Sequence, residues 1–361
     1  MQLFQDFFDQ SKQLNQAPFY KQQKIPFHTP TEKYKGILIA LKVPNLPAPL
    51  HYLNFFVQLG QVNVPILQHA HNKSALDTKK IHLMSSCSAR MVGQFEAHQK
   101  DATFDLASRH IHIADDADVF GDFPNFQFQR EHSELRLDLS VQSSDIVSCI
   151  TKLRMGMAEH WSVLSQCQGQ VAYKGQVYNI NQLGTLEFAR ARAFPHFPLA
   201  FYSMSMLNLR NDRQLIFMQL RDTRNQIVQS RIYLRDLQAN TQQMFDTAVY
   251  FRIHRVYPKI TTPSGRNMYL PREFEWCMQN ENMQIRLQGQ SRGDFKFGLG
   301  AGYAGSFSYQ IQLNEQLEEG EGGYSEYIDC RNLNWQEHQQ DQSVRMTQAD
   351  SMPVLVKNSQ N

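Results

Sequence analysis

The chain has 361 residues, of which 42% are hydrophobic and 19% are charged, and its formal net charge is +2. This length is about twice that of an average domain, so two domains are expected. The near-neutral charge, without a cluster of five or more Lys or Arg residues, disfavours a nucleic-acid partner.

The N-terminal segment is predicted to form one short helix. Its apolar residues recur at helical spacing and leave Asp6 and Asp9 on the other side. These apolar residues are Leu3, Phe4, Phe7, Phe8 and Leu14. Such a face is expected to cap an open end of the core, and contact with a membrane surface is the alternative.

The sequence predicts a cytoplasmic protein without a transmembrane segment. The N-terminus lacks the basic start and unbroken apolar run of a secretory signal. No stretch approaches the roughly 18 apolar residues that span a bilayer. The five cysteines are scattered and form no Cys-x-x-Cys pair, which indicates neither a disulfide framework nor a zinc knuckle.

From Gly36 onward the apolar pattern has a period of two, which is typical of strands with one buried face. The clearest case is residues 134–141, where apolar and polar positions alternate without exception. Turn-forming groups such as Pro263-Ser264-Gly265 separate the runs at short intervals. Many short strands with turns between them predict an all-β, antiparallel fold.

An internal repeat predicts two copies of one barrel domain. Gly169 and Gly305 each begin a G-x-[VF]-x-Y motif, and Gly184 and Gly323 each begin a G-x-x-E-[FY] motif. An offset of 136 to 139 residues is long enough for about eight strands per copy. The predicted organisation is an N-terminal helix and arm (1–35), a first barrel (36–192), a second barrel (199–335) and a polar, disordered tail (336–361).

The same motifs resemble the signature of a bacterial family of unknown function. The matching residues are 160–164 (HWSVL), Gly169, 184–190 (GTLEFAR) and 323–329 (GYSEYID). That family is similar, more distantly, to two-barrel lipocalin-like proteins that include hydroxyneurosporene synthase (a carotenoid hydratase) and fungal decalin-forming Diels–Alderases. Over residues 36–335 the resemblance implies two tandem lipocalin-like (calycin) barrels and an apolar ligand: a terpenoid, polyene, polyketide or fatty acid. It places no catalytic residue of those enzymes on this chain.

Three residues are candidates for acid–base chemistry. Glu187 and Glu326 are the repeated carboxylates, and a carboxylate in an apolar cavity has a raised pKa and can protonate an alkene or enolate. The alternative is an ion pair that closes a barrel end, with Arg190 and Arg331 as nearby partners. His160 is a candidate general acid at the edge of a cavity, and a capped surface histidine is its alternative.

Aromatic and polar side chains on the strands are candidates for ligand binding. The candidates are His51, Tyr52, Asn54, Trp161, Tyr202, Trp276 and Tyr303. The first three suit a pocket floor, and Trp161 suits a stacking wall beside His160. The first three would look identical on an edge strand, and Trp161, Tyr202 and Trp276 fit an ordinary barrel core as well, because an eight-stranded barrel fills its interior with side chains.

Two His-x-His pairs, His69/His71 and His110/His112, place two imidazoles on one face of a strand. No third ligand follows either pair at a recognisable spacing, so neither a metal nor another cofactor is expected.

The function predicted from these features is the binding of a lipophilic small molecule in a barrel or between the barrels, in a cavity of about 300 Å³. Cofactor-independent hydration, isomerisation or cyclisation is compatible with it, and whether the chain is an enzyme is left open. A non-catalytic lipid carrier or stress-related interaction protein is the alternative, followed by a carbohydrate-binding β-sandwich.

Overall fold

The computed structural model describes residues 9–16, 30–60, 62, 64–67, 81–94, 102–105, 110–113, 117–193 and 198–331. In this part the chain forms two large curled antiparallel sheets, one two-stranded sheet and one short helix near the N-terminus. The predicted all-β, lipocalin-like fold class with a short N-terminal helix is therefore confirmed. Two single 3-10 turns lie at Pro65–Leu67 and Arg154–Gly156.

The first sheet has eleven strands in the order β4-β3-β2-β1-β11-β10-β9-β8-β7-β6-β5. Its strands are β1 (Gly36–Val43), β2 (Leu53–Gly60), β3 (Ile81–Ser86), β4 (Met91–Gln94), β5 (Ala102–Asp105), β6 (His110–Ile113), β7 (Ala117–Asp122), β8 (Asn125–Arg130), β9 (Leu135–Lys152), β10 (Ala158–Tyr173) and β11 (Gln176–Ala191). The first strand of this sheet therefore pairs with the last one, β1 with β11.

The second sheet has ten strands in the order β15-β14-β13-β12-β23-β22-β20-β19-β16, with β21 also paired to β22. The remaining strands of the chain are β12 (Leu199–Leu209), β13 (Arg213–Asp222), β14 (Ile227–Asp236), β15 (Thr241–Phe245), β16 (Val249–Val256), β17 (Ile260–Thr261), β18 (Asn267–Met268), β19 (Pro271–Gln279), β20 (Gln284–Ser291), β21 (Lys296–Leu299), β22 (Gly302–Leu313) and β23 (Gln316–Asp329). Strands β17 and β18 pair only with each other. Here too the first strand, β12, pairs with the last, β23.

The repeated glutamates occupy equivalent places in the two sheets. Glu187 lies on β11 between its register partners Ala40 of β1 and Ser162 of β10. Glu326 lies on β23 between its register partners Met204 of β12 and Ala304 of β22. Each glutamate is thus on the last strand of its sheet, next to the first strand. The division into separate domains at 36–192 and 199–335 stays a prediction.

Each sheet has its own apolar core on its concave side, as the alternating pattern predicts. On β9, Leu135, Leu137 and Leu139 are buried in the first core, and the residues between them are exposed. Successive side chains of a strand point to opposite faces of the sheet, so every second side chain lies on the same face.

The central strands of both sheets are buried on their second face as well, because the sheets pack against each other there. On β1, Ile37, Ile39 and Leu41 belong to the first core, whereas Ala40 belongs to a third apolar cluster. This inter-sheet cluster consists of Ala40, Tyr52, Phe56, Ile66, Met84, Ile150, Met204, Met206, Ile216, Met218, Tyr233, Leu299, Ala301, Ala304, Tyr324 and Ile328. Strands buried on both faces lose the clean alternation of polar and apolar residues.

Helix α1 (Ser11–Gln16) is hydrogen-bonded to β9 of the first sheet. Leu14 packs against the first core, as expected for a helix that covers a core edge. The Asn15 amide donates to the Cys149 carbonyl oxygen over 2.8 Å and accepts the Cys149 N–H over 2.9 Å. The other apolar residues predicted for this helix, Leu3, Phe4, Phe7 and Phe8, lie outside the described residues.

The described residues include no helix with the length and apolar character that crossing a membrane requires. The predicted disordered tail, 336–361, lies outside the described part of the chain.

Candidate functional site

A lysine and two glutamates meet between the two sheets. The Lys42 ammonium nitrogen lies 2.7 Å from Glu187 Oε2 and 2.7 Å from Glu326 Oε1. At most 3% of each of these side chains is exposed. One cation on β1 therefore binds a carboxylate from each sheet. The three side chains form an ion triad that is buried from solvent.

Strand geometry explains how Lys42 reaches both carboxylates. Lys42 shares a face of β1 with Ala40, the direct register partner of Glu187, so Lys42 and Glu187 are diagonal neighbours. Diagonal cross-strand pairs are within reach of long side chains. The same face of β1 packs against the second sheet, which brings Glu326 to the other side of the ammonium group.

The charges of the triad stabilise one another. Burial by itself would raise the pKa of Glu187, but Lys42 and His160 lower it to about 2. Burial likewise opposes the charge on Lys42, and the two carboxylates outweigh it and raise the pKa of Lys42 above its ordinary value. Glu187 is therefore ionised at neutral pH, which agrees with the ion-pair interpretation of this residue and is opposite to the raised pKa expected of a catalytic acid.

Two tyrosines complete the shell of Glu326. The Tyr324 hydroxyl donates to Glu326 Oε1 over 2.7 Å, and the Tyr202 hydroxyl donates to Glu326 Oε2 over 3.0 Å. Burial, and then the charge of Glu326, raises the pKa of both phenols well above the ordinary value. Both hydroxyls thus stay protonated and serve as donors to the carboxylate.

His160 connects the triad with the solvent side. Its Nε2 lies 3.1 Å from Glu187 Oε2, and 22% of its side chain is exposed. A carboxylate that accepts a hydrogen bond from an imidazole fixes the orientation of the ring. This contact makes His160 the more accessible acid–base group of the cluster.

An apolar cavity of about 210 Å³ ends on this cluster. Its polar end is formed by Lys42, Glu187, Glu326, His160 and Tyr202. Most of the other walls are apolar and come from both sheets, including Leu38, Phe56, Ile150, Leu199, Met218 and Leu220. The cavity is smaller than the expected 300 Å³, because side chains of the two packed sheets fill much of the space between them.

Four of the predicted site residues are brought together here. Glu187, Glu326, His160 and Tyr202 all line the cavity. Tyr52 is not part of the cavity wall, and its ring centroid lies 5.1 Å from that of Tyr324.

The predicted aromatic binders Trp161, Trp276 and Tyr303 lie elsewhere, and strand parity gives the reason. Trp161 follows His160 directly on β10, so the two side chains point to opposite faces, and Trp161 is buried in the first core. Trp276 and Tyr303 belong to the core of the second sheet, where the Trp276 indole donates to Ser205 Oγ over 3.1 Å. None of the three lines the cavity.

His51 and Asn54 are also outside the cavity wall. His51 lies in the turn before β2, with a φ of 54°. Asn54 is the register partner of Lys42 on β2, and its buried amide has no hydrogen-bond partner among the described residues. Asn54 therefore adjoins the charged cluster rather than forming a pocket floor.

The sequence reasoning missed Lys42 and assigned the wrong partners to the glutamates. Of the two arginines expected to pair with them, Arg190 contacts Glu159 and Arg331 contacts Asp329. The signal for Lys42 was a single charged residue inside the otherwise apolar run GILIALKV of β1.

A second missed residue is Arg235 on β14, which links the sheets. Its guanidinium donates to Ser162 Oγ over 2.7 Å and to Ser148 Oγ over 2.9 Å, both on strands of the first sheet. The side chain is fully buried, and this burial lowers the pKa of Arg235 to about 10.

A carboxylate that the sequence spacing did not indicate lies beside the pair His110 and His112. Strand pairing brings Asp118 into contact with both imidazoles. The pair His69/His71 lies outside the described residues.

The fold is similar to that of solved proteins with low sequence identity. An AttH-like protein from Nitrosomonas europaea gives a TM-score of 0.59 at 14% identity, covering 88% of this chain and 100% of that chain. Kievitone hydratase from Nectria haematococca gives a TM-score of 0.51 at 8% identity, covering 84% and 91%. CghA in complex with Sch210972 gives 0.48 at 7% identity, covering 83% and 89%. At these identities the likeness to the first two proteins shows the fold alone.

Among proteins of curated function, no match was found. The family DUF6670, a family of unknown function, matches residues 56–342. Together with the shared fold, this match confirms the resemblance that the repeated motifs indicated. Because the matched residues make up more than half of the sequence, the chain belongs to the DUF6670 family.

Proposed function

We propose that this protein binds an apolar small molecule that carries one polar group, in the cavity between the two sheets. The observation that carries the proposal is that an apolar cavity ends on a cluster of charged and hydroxyl groups. Binding sites for small molecules commonly combine apolar walls with a few fixed polar groups. Here the walls supply affinity, and the polar end sets the orientation of the ligand.

The cavity limits which apolar molecules fit. A volume of about 210 Å³ suits a compact terpenoid or a ring system of polyketide type as a fully enclosed ligand. A polyene or fatty acid fits with one end enclosed and the rest beyond the rim. Two methionines in the wall, Met157 and Met218, are flexible and accommodate ligands of varied shape.

The polar end favours a ligand oxygen at His160 and Tyr202. Lys42 and the two glutamates already have partners within the protein, whereas His160 is part-exposed and, among the described residues, its side chain is hydrogen-bonded to Glu187. A carbonyl or hydroxyl of the ligand can accept a hydrogen bond from an N–H of the imidazole. Glu187 supports this role because it stays ionised and holds the ring in place.

The same arrangement supports cofactor-independent acid catalysis as an extension of binding. His160 would donate a proton to a carbon of an alkene or enolate held in the cavity, with ionised Glu187 holding the ring in place. In a hydration, water would bond to the neighbouring carbon of the alkene, and the proton that this water releases would return to His160. Hydration is the first reaction to test, since one protein of similar fold is named a hydratase. Isomerisation and cyclisation use the same proton donor.

A non-catalytic lipid carrier is the second candidate. In the triad, Lys42, Glu187 and Glu326 each have their ion-pair partners inside the protein. Groups that are already paired need not react with a ligand, and this favours a carrier. A carbohydrate-binding surface has less support. The large apolar residues exposed in the described part of the chain are Met155, Val177, Ile227 and Leu317, and none is an aromatic platform.

Binding is tested by titrating the protein with the apolar dye N-phenyl-1-naphthylamine and following its fluorescence. We expect saturable binding at micromolar level, about 8 kcal/mol. Ala189 lines the cavity, so Ala189→Phe should fill it and weaken binding by at least tenfold. Ala172 is a comparably half-buried strand residue outside the cavity, and Ala172→Phe should leave binding unchanged. Absence of a saturable signal, or equal binding by both variants, contradicts the proposal.

A further inference from the structure

We propose that His110, His112 and Asp118 form a binding site for a zinc ion on the outer face of the first sheet. The side chains of these residues come from two neighbouring strands and point away from the core. The proposal is independent of the ligand cavity, because none of the three residues lines it.

The backbone places all three side chains on one face. On β6, Ile111 and Ile113 are buried in the first core, so His110 and His112, which alternate with them, face outward. Strand β7 is antiparallel to β6, and its Asp118 is the direct register partner of His112. Directly opposite residues of an antiparallel pair share a face.

The ligand atoms already converge. The Nε2 of His110 lies 2.5 Å from Asp118 Oδ1, and the Nδ1 of His112 lies 2.8 Å from the same oxygen. All three atoms lie within 4.8 Å of one another. In a tetrahedral zinc site with bonds of about 2.0–2.1 Å, two ligand atoms are about 3.3 Å apart. Small rotations of the side chains therefore open enough room for the ion without moving the strands.

The chemistry of the donors selects the ion. Two imidazole nitrogens and one carboxylate oxygen are a common zinc set, whereas Mg²⁺ and Ca²⁺ prefer oxygen ligands alone. Three protein ligands leave one coordination position for water or another small ligand.

The surroundings of the site fit metal binding. Between 26% and 38% of each side chain is exposed, so an ion can enter from solvent. Phe120 packs edge-on against the His110 ring at a centroid distance of 5.3 Å and restricts its orientation. Contacts that orient a ligating histidine increase metal affinity.

The test uses the full chain, stripped with a chelator and desalted, and titrated with ZnCl₂ by calorimetry. We expect one zinc ion per chain at this site, bound at micromolar or tighter level, and no comparable binding of MgCl₂. Zinc should also raise the midpoint of thermal unfolding, because a ligand that binds the folded state stabilises it. CoCl₂ gives a separate readout, since cobalt in such a site has intense visible absorption bands.

Three variants decide whether the ion binds at these residues. Asp118→Asn keeps the size and hydrogen bonding of the side chain, and His112→Ala removes an imidazole. Each should weaken zinc binding at least tenfold and abolish the cobalt bands. His132, which lies in the turn before β9 and outside the cluster, provides the control: His132→Ala should bind as the original protein does.

The proposal is wrong if the original protein binds no zinc, since the three residues are then only a hydrogen-bonded cluster. It is equally wrong if Asp118→Asn, shown by circular dichroism to be folded, binds zinc and cobalt as the original protein does.

Discussion

Glu187 and Glu326 occupy equivalent positions in the two sheets, and both bind the ammonium group of Lys42. A repeated residue usually does the same task in each copy of a repeat. Here the two copies converge on one partner, because the faces that carry the glutamates pack against each other. The repeat has therefore produced a single charged cluster at the junction of the sheets, and the ligand cavity begins at that cluster.

Replacement of Lys42 by Met should destabilise the protein strongly. The variant leaves Glu187 and Glu326 buried without their cation, and breaking a buried ion pair from one side costs about 3–5 kcal/mol. The free energy of unfolding in urea measures the loss.

Lys35 provides the matched control for this variant. It pairs with Glu32, whose side chain is fully exposed, so Lys35→Met should cost about 0–1 kcal/mol. The triple variant Lys42→Met/Glu187→Gln/Glu326→Gln removes all three charges and should recover much of the lost stability. A Lys42→Met protein within about 1 kcal/mol of the original would show that the triad is not buried as described.

Stability should fall in acid because of Glu187. Its pKa is lowered from 4.5 to about 2 on folding, so the folded protein holds this proton less tightly than the unfolded chain. The stabilisation is complete above the unfolded pKa and is lost as the pH falls from about 4.5 towards 2. Urea midpoints measured across this range should therefore decrease.

The variant Glu187→Gln isolates this contribution from those of other carboxylates. It has no proton to bind, so the difference in stability between the original protein and the variant should shrink as the pH falls through the same window. A constant difference from about pH 5 to about pH 2 would show that Glu187 is not the titrating group.

Alternation and the repeat predicted the strands and identified Glu187 and Glu326, but they could not predict their partner. Lys42 and Glu187 are 145 residues apart, and their contact depends on the pairing of the first strand with the last. The contact of Lys42 with Glu326 depends on the packing of one sheet on the other. Neither contact can be predicted from a local sequence pattern. Strand periodicity determines which face of the sheet a residue occupies, but it does not determine what packs against that face.

Strand parity shows where more could have been predicted. His160 and Trp161 are consecutive on one strand, so only one of them can face a given cavity. The contact of Asp118 with His110 and His112 could not be predicted by strand parity, because it depends on the register between β6 and β7. Aromatic residue type alone did not separate cavity from core, as Trp276 and Tyr303 show.

Two tyrosines that bind the same carboxylate should respond differently to loss of their hydroxyl groups. Tyr324 is fully buried, so Tyr324→Phe removes a donor to Glu326 and should lower the free energy of unfolding by about 1–3 kcal/mol. Tyr202 also donates to Glu326, but it lines the cavity, so Tyr202→Phe should in addition weaken the binding of a ligand whose hydroxyl group donates to the Tyr202 oxygen. Urea unfolding and the binding of retinol, a hydroxyl-bearing apolar probe, measure the two effects. Equal effects of both variants on retinol binding would contradict the placement of Tyr202 at the ligand.

Replacement of His160 by Gln should separate binding from proton transfer. The glutamine amide would keep a hydrogen-bond donor to Glu187 but cannot deliver a proton, so dye affinity should stay within about threefold of the original. If the protein hydrates a compact terpenoid alkene or enone, incubation in ¹⁸O-labelled water should incorporate the label into the product, as detected by mass spectrometry. Loss of a general acid lowers a rate by about 10²–10⁴-fold, and His160→Gln should show that loss. His132→Gln, outside the cavity, should react like the original protein. Labelling that persists in His160→Gln would remove His160 from the proton transfer, whereas saturable binding without labelling in any variant would favour the carrier.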